Sequence, residues 1–523
     1  MRTILAALLA SVLGVASLCA QGTSIQPLIQ EGDSVAGVGL VTRIDNMALN
    51  AAGQWLVEAD TDNPDTNADS VVLNSSGLLL QEGQSLSAPA GATLDSFDAL
   101  TLNNLGESGW NFFLDGTSGF NDDSGIYFNT TLVIQESNLS TAAGFSPGTT
   151  YIGFFETKIN DSRKVLVMAS VDDPAISSSV DRALVILDLD VAGNLLGETV
   201  FAKEGDVLPG QSDFVADFET NPHNFAFNNN GDLMFIADLD GNTAVDHAIY
   251  VNMALIAQEG SPSPVAGRNW ELLSSKPVAL NNLGGTAFRG NLDGDTSTDE
   301  IIIANGSKLV QEGDSLPDIS PFVFTSFGSG PLWISDSGDV LWYGDWDDPN
   351  TDVDTGLFLN DRLIVQEGVS SVGGVLIDSL RGIQDGYFLS MDGDDVMFEA
   401  VLDNGVEGAY LLEIGSTGFT LGDPIPGIAG MMNSLASTGG TPNTVTYYLG
   451  SAISGNTPYN CSGNLLDIGM ANPRILGNVT SDANGDAGIM GFAPSSLSGV
   501  TIYLQAIEPT TCQLSNLVTA TLQ

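Results

Sequence analysis

Asn281-Asn-Leu-Gly284, Gly285-Thr-Ala-Phe-Arg289, Asn291-Leu-Asp-Gly-Asp295, Glu300-Ile-Ile-Ile303 and Lys308-Leu-Val-Gln311, closed by Gln311-Glu312-Gly313, form one short succession that recurs along the chain. Asn and Gly accept positive φ and close tight hairpins, so Asn281 to Gly284 reads as a turn between two strands. The apolar pieces on either side of the acidic loop read as a second and a third strand, and Lys308 to Gln311 as a fourth that ends in the Glu-Gly turn. Four short strands and no sustained helical period make the unit all-β.

The Gln-Glu-Gly element returns as Gln30-Glu31-Gly32, Gln81-Glu82-Gly83, Gln135-Glu136-Ser137, Lys203-Glu204-Gly205, Gln258-Glu259-Gly260, Gln311-Glu312-Gly313 and Gln366-Glu367-Gly368, in steps of 51, 54, 68, 55, 53 and 55 residues. The turn element keeps the same beat at Asn50, Asn103, Asn160, Asn228, Asn281, Ser335 and Ser390. Units of this size cannot bury their apolar faces alone and must stack on neighbours, which is the sequence signature of a propeller or solenoid. The ends of the array choose between the two. The unit starting at Ser390 has no Gln-Glu-Gly strand after Ala409-Tyr-Leu-Leu412, whereas Ile25 to Gln30 is a strand without a unit. Pairing these two closes a ring and hides both edges. The expectation is a seven-bladed β-propeller over residues 21–414, closed by the N-terminal strand. In its third unit a longer hairpin, Ala183 to Phe201, accompanies Arg163 in place of the turn glycine; the sixth unit carries Trp333, Trp342 and Trp346.

The beat stops near Gly415. The remaining pieces, such as Val445-Thr-Tyr-Tyr-Leu449 and Thr501-Ile-Tyr-Leu-Gln505, alternate in a strand-like way and predict a small β-sandwich over residues 415–523. Met1-Arg2-Thr3 followed by an apolar run to Leu18 and a small residue, Ala20, reads as a signal peptide, residues 1–20, which directs the protein out of the cytoplasm to a secreted or cell-surface location. Beyond it no uninterrupted apolar run is long enough to span a membrane. The two cysteines left, Cys461 and Cys512, are then expected to form a disulfide.

The Asn-x-x-Gly, apolar-strand, acidic-loop and Gln-Glu-Gly-Asp modules resemble repeats of uncharacterised exported β-propeller proteins of planctomycete-type bacteria. The tail, with Leu466-Asp-Ile468, Thr480-Ser-Asp-Ala-Asn-Gly485 and Leu504-Gln-Ala506, is similar to the β-sandwich modules that close many secreted proteins of such bacteria. The resemblance implies a fold and an exported location. It implies no chemistry.

Only 14 Lys and Arg oppose 65 Asp and Glu, a formal charge of -51. Such a field repels nucleic acid and anionic lipid and draws cations. The acidic loops are therefore the first candidates for a ligand. Asp238, Asp240 and Asn242 with Asp246, and Asn291, Asp293 and Asp295 with Asp299, place oxygen-bearing side chains at alternate positions around a glycine, a pattern able to wrap Ca²⁺. Neither loop carries the closing glutamate of an EF-hand, since Ile249 and Ile302 stand there, and side chains capping their own turn explain the same pattern. The repeated Glu31, Glu82, Glu136, Glu204, Glu259, Glu312 and Glu367 could line an acidic ring, or accept backbone N–H groups and hold each unit together. Two histidines, His223 and His247, leave a metal cluster or a Ser-His-Asp triad without its parts. These features favour a non-catalytic binding or scaffold protein, calcium-stabilised, with a protein or polysaccharide partner; the alternative is a carbohydrate-active hydrolase with carboxylates at the propeller mouth.

Overall fold

The computed structural model describes residues 25–176, 181–414, 419–422, 424–461, 464–482, 485–511 and 513–523. The expected leader and Cys512 of the expected disulfide lie outside the described residues; Cys461 is buried. The fold is all-β, with a single short 3-10 turn at Ser495–Leu497 among the described residues, and none of their helices is long or apolar enough to cross a membrane. The chain divides into two compact units, Met1–Glu413 and Ile414–Gln523.

The first unit is β-propeller-like. Among the described residues it holds seven separate sheets, six of them each taken from one repeat. The second strand of each is nearly all buried, as in Leu233–Leu239 or Lys164–Asp172, because both of its faces are covered by neighbouring sheets. Cores form between successive sheets: Val57 and Val71 of the first pack with Met397 and Ala409 of the seventh, and Leu56 and Val72 of the first pack with Phe112 and Tyr127 of the second. The inner strands touch one another in a closed cycle, running from Gly39–Leu49 through Thr93–Leu102, Thr150–Ile159, Phe225–Phe227, Val278–Leu280, Trp333–Ile334 and Tyr387–Leu389 back to Gly39–Leu49.

The seventh sheet is completed from the other end of the chain. Ile25–Gln30 pairs antiparallel with Glu407–Glu413, with Ile25 opposite Leu412 and Gln30 opposite Gly408. Gln26 reaches Glu413 and Gln30 reaches the Tyr410 hydroxyl, each at 3.2 Å.

In the second unit a three-stranded sheet, Thr420–Leu421, Met432–Thr438 and Ala487–Phe492, shares an apolar core with a five-stranded sheet built on Val445–Ser451 and Thr501–Glu508. Leu435 of the first sheet and Tyr448 and Leu504 of the second meet there. A separate hairpin pairs Ser454–Cys461 with Asn464–Met470.

Candidate functional site

The turn asparagines do two jobs. Within its own turn the Asn50 Oδ1 accepts the N–H groups of Ala52 and Gln54 at 3.0 and 2.9 Å, which leaves its amide free to donate outward. That amide reaches the next sheet: Asn50 Nδ2 donates to the Asn103 carbonyl at 2.8 Å, Asn103 to Asn160 at 3.2 Å, Asn160 to Asn228 at 3.1 Å, Asn228 to Asn281 at 2.9 Å and Asn281 to Ser335 at 2.7 Å. A parallel ladder joins the following residues, the N–H of Asn104, Asp161, Asn229 and Asn282 donating to the side-chain oxygen of Asp161, Asn229, Asn282 and Asp336 respectively. Arg163 takes φ +59 where the other turns have glycine, and its Nε lies 2.8 Å from Glu107 Oε1. The unusual residue keeps the turn and adds an ion pair.

Inside this ring of turns lies a cavity of about 150 Å³, walled by Asn50, Asn103, Asn228, Lys158, Trp333 and Phe388. A second, of about 80 Å³, shares Lys158 and Trp333 and adds His223 and Phe225.

Beyond the second cavity four sheets bring ionisable groups together. His223 Nε2 stands 3.2 Å from Asp385 Oδ1, and the His223 ring meets Trp333 edge-on at 6.0 Å. Lys158 Nζ lies over the Phe225 ring. Asp98 and Glu156 complete the group, coupled electrostatically to Asp385. Burial depresses His223 below the ordinary histidine range, against the pull of Asp385. Burial also works to raise Asp385, but its hydrogen bond with His223 and the charge of Lys158 outweigh this and hold the carboxyl low. Glu156 is pushed well above the ordinary carboxylate range, first by burial and then by Asp98 and Asp385, although Lys158 opposes the shift. The cluster thus sets a carboxyl raised by its surroundings beside one lowered by them. Asp385 sits at φ +61, a left-handed backbone that residues other than glycine seldom adopt. The sequence gives no periodic signal for this group, since its members sit at different positions of different repeats. From sequence the two histidines count only as grounds against a metal cluster or a triad, and this group is missed.

The residues expected to wrap calcium separate into two situations. Asp238 and Asp246 come together around His247, with ligand atoms of the three within 4.8 Å of one another, whereas Asp240 and Asn242 are exposed and Asn242 caps its own turn through Ala244 N–H. His247 is the cation of this group: Nδ1 lies 3.0 Å from Asp246 and 3.5 Å from Glu259, and Nε2 lies 3.5 Å from Glu219. Burial disfavours the charged ring, but Glu219, Glu259 and Asp238 overcome it and lift the imidazole to about 10. In the second loop Asn291 Nδ2 donates to Asp299 at 3.0 Å, Asp293 accepts from Asn269, and Asp295 accepts from Ser297. The middle of that loop is filled by Arg268, whose guanidinium donates to the carbonyls of Leu292, Asp293, Asp295 and Thr298.

The repeated glutamates lie at the outer edge of their sheets, away from the inner cycle. Glu31 is exposed, Glu82 and Glu367 are half-buried, and Glu136, Glu204 and Glu259 are buried. Several accept backbone N–H groups across the sheet: Glu82 from Ser70 at 3.3 Å, Glu312 from Glu300 at 3.1 Å, and Glu259 from Leu273 at 2.8 Å.

No curated protein matches the chain. Among solved structures, the Penicillium chrysogenum α-L-arabinanase complexed with arabinobiose aligns at 8% identity over 75% of this chain and 98% of its own, with a TM-score of 0.29. A Trypanosoma rangeli sialidase aligns at 10% identity over 96% of this chain and 88% of its own, with a TM-score of 0.31. These likenesses are distant and concern the fold alone. A family of unknown function, DUF7453, matches residues 13–253 and again 190–404, and the chain belongs to it.

Proposed function

We propose that the chain is an exported, extracytoplasmic binding or scaffold protein without catalytic activity, built as a seven-bladed propeller followed by a small β-sandwich. For the first unit, the size of the inner cavities carries this reading. At about 150 and 80 Å³ they fall below the roughly 300–1,000 Å³ of ordinary small-molecule sites. The amides that face them are already committed to joining sheet to sheet, so a protein or polysaccharide partner would engage the rims and loops instead. The test is electrophoresis of the protein through gels containing candidate polysaccharides, run beside an assay for newly released reducing ends. Retardation without release supports the reading.

One observation favours a second reading, a carbohydrate-active hydrolase. Within one cluster burial raises Glu156 while the His223 hydrogen bond and Lys158 lower Asp385, the divergence of two carboxyls on which acid–base hydrolysis relies. Release of reducing ends that disappears in Glu156→Gln would replace the first reading with this one.

A further inference from the structure

Five sheets repeat one arrangement at the outer edge. The N–H of the repeat glutamate donates to the carbonyl of the first residue of the third strand: Glu82 to Ser70, Glu136 to Ser124 and Glu259 to His247 at 3.0 Å each, Glu312 to Glu300 at 2.9 Å, and Glu367 to Thr355 at 3.1 Å. The residue immediately before that strand is always an aspartate: Asp69, Asp123, Asp246, Asp299 and Asp354. The register therefore brings an Asp and a Glu side by side, and in the first, second and fifth sheets the aspartate adds to burial in raising its glutamate neighbour. The closing glutamate that the acidic loops lack in sequence is supplied from the neighbouring strand.

What compensates the pair differs from sheet to sheet. In the fourth it is protonated His247, lying against both Asp246 and Glu259. In the fifth, Arg268 fills the loop, and Lys276 and Arg289 reach the adjacent Glu300 at 2.8 and 3.3 Å. The second sheet has Ser124 at the position of His247, and among the described residues no basic side chain pairs with Asp123 or Glu136. The other charged groups acting there, Asp95 and Asp115, are also acidic. Glu136 is only 7% exposed, and its Oε2 has no hydrogen-bond partner among the described residues. A buried carboxyl oxygen without a donor, beside a second carboxyl, is costly: burial and then Asp123 push Glu136 up to about 8, and a cation seated between the two relieves that cost in place of a proton.

We propose that Asp123 and Glu136 of the second sheet bind a divalent cation, Ca²⁺ being the ion suited to an all-oxygen, carboxylate-rich site. His247 marks the same place in the fourth sheet as one that takes a positive charge. The site is independent of any partner-binding role, and no catalytic group belongs to it.

The test is calorimetric titration of the full-length, chelator-treated protein with CaCl₂ at pH 7.5, for wild type, Glu136→Gln, Asp123→Asn and His247→Ser. Wild type is expected to bind Ca²⁺. Both carboxamide variants should lose one bound ion or weaken it at least tenfold, and two variants guard against one failing to fold. His247→Ser, which gives the fourth sheet a side chain of the kind the second one has, should gain one bound ion. No binding by wild type, or unchanged stoichiometry and affinity in folded Glu136→Gln and Asp123→Asn, overturns the proposal.

Discussion

Replacing Asn103 tests the ladder that joins the sheets. Asn103 is 3% exposed, and its side chain makes four bonds: Oδ1 accepts the N–H groups of Leu105 and Glu107 at 3.0 and 2.9 Å, and Nδ2 donates to the Asn160 carbonyl at 3.2 Å and to Glu107 Oε2 at 2.9 Å. A net intramolecular hydrogen bond contributes about 1 kcal/mol, so Asn103→Ala should destabilise the first unit by about 4 kcal/mol. Asn103→Ser should cost about 2 kcal/mol, because a hydroxyl keeps an acceptor for the turn and loses the two amide bonds, to Glu107 and toward the next sheet. Ser335 shows that this substitution is tolerated: its Oγ accepts the Asp339 N–H at 3.1 Å. Urea unfolding followed by tryptophan fluorescence reads the right unit, since all six tryptophans lie between Trp55 and Trp346. The midpoint should fall by about 0.5–1 M for the alanine variant, given a steep denaturant dependence for a unit this large. An alanine variant indistinguishable from wild type would refute the ladder as a source of stability. A serine variant as damaged as the alanine would refute the division into turn bonds and inter-sheet bonds.

Glu58 is buried, and burial followed by the charge of Asp45 raises it to about 8. The unfolded chain ionises it first, so its protonated state stabilises the fold below about pH 4.5, and that contribution is lost as pH rises through 8. Glu58→Gln removes the titration and should stabilise by about 3 kcal/mol at pH 7 yet change nothing at pH 4, read as thermal midpoints across pH; a difference that does not vary with pH would sink the idea. Deleting the chain through Gln30 uncovers the Glu407–Glu413 edge, and light scattering should then show a larger associated mass than the intact chain gives. An equally stable, monodisperse deletion variant would mean that the closing strand is dispensable.

The repeat was fully legible in the sequence because it rests on local chemistry. Asn and Gly at fixed spacing enforce a turn, apolar runs between turns make strands, and a strand such as Ile25 to Gln30 without a unit of its own has one natural partner at the far end. A side chain beside a turn readily finds backbone donors, as Glu82, Glu259 and Glu312 do. The acidic loops were legible as places that gather positive charge, but not as to what supplies it. Arg268 lies in a connecting stretch with no motif around it, and His247 follows its loop as one isolated residue.

The order of strands, the beat of the turns and the acidic character of the loops thus belong to the sequence, for each depends on neighbours a few residues apart. Tertiary structure alone decided that Asn103 would grip Asn160, that Glu136 would stand unpartnered beside Asp123, and that His223, Asp385, Glu156 and Asp98 would share one cluster. Those relations join residues from different strands or sheets. They exist only once the sheets have packed and water has left the space between them.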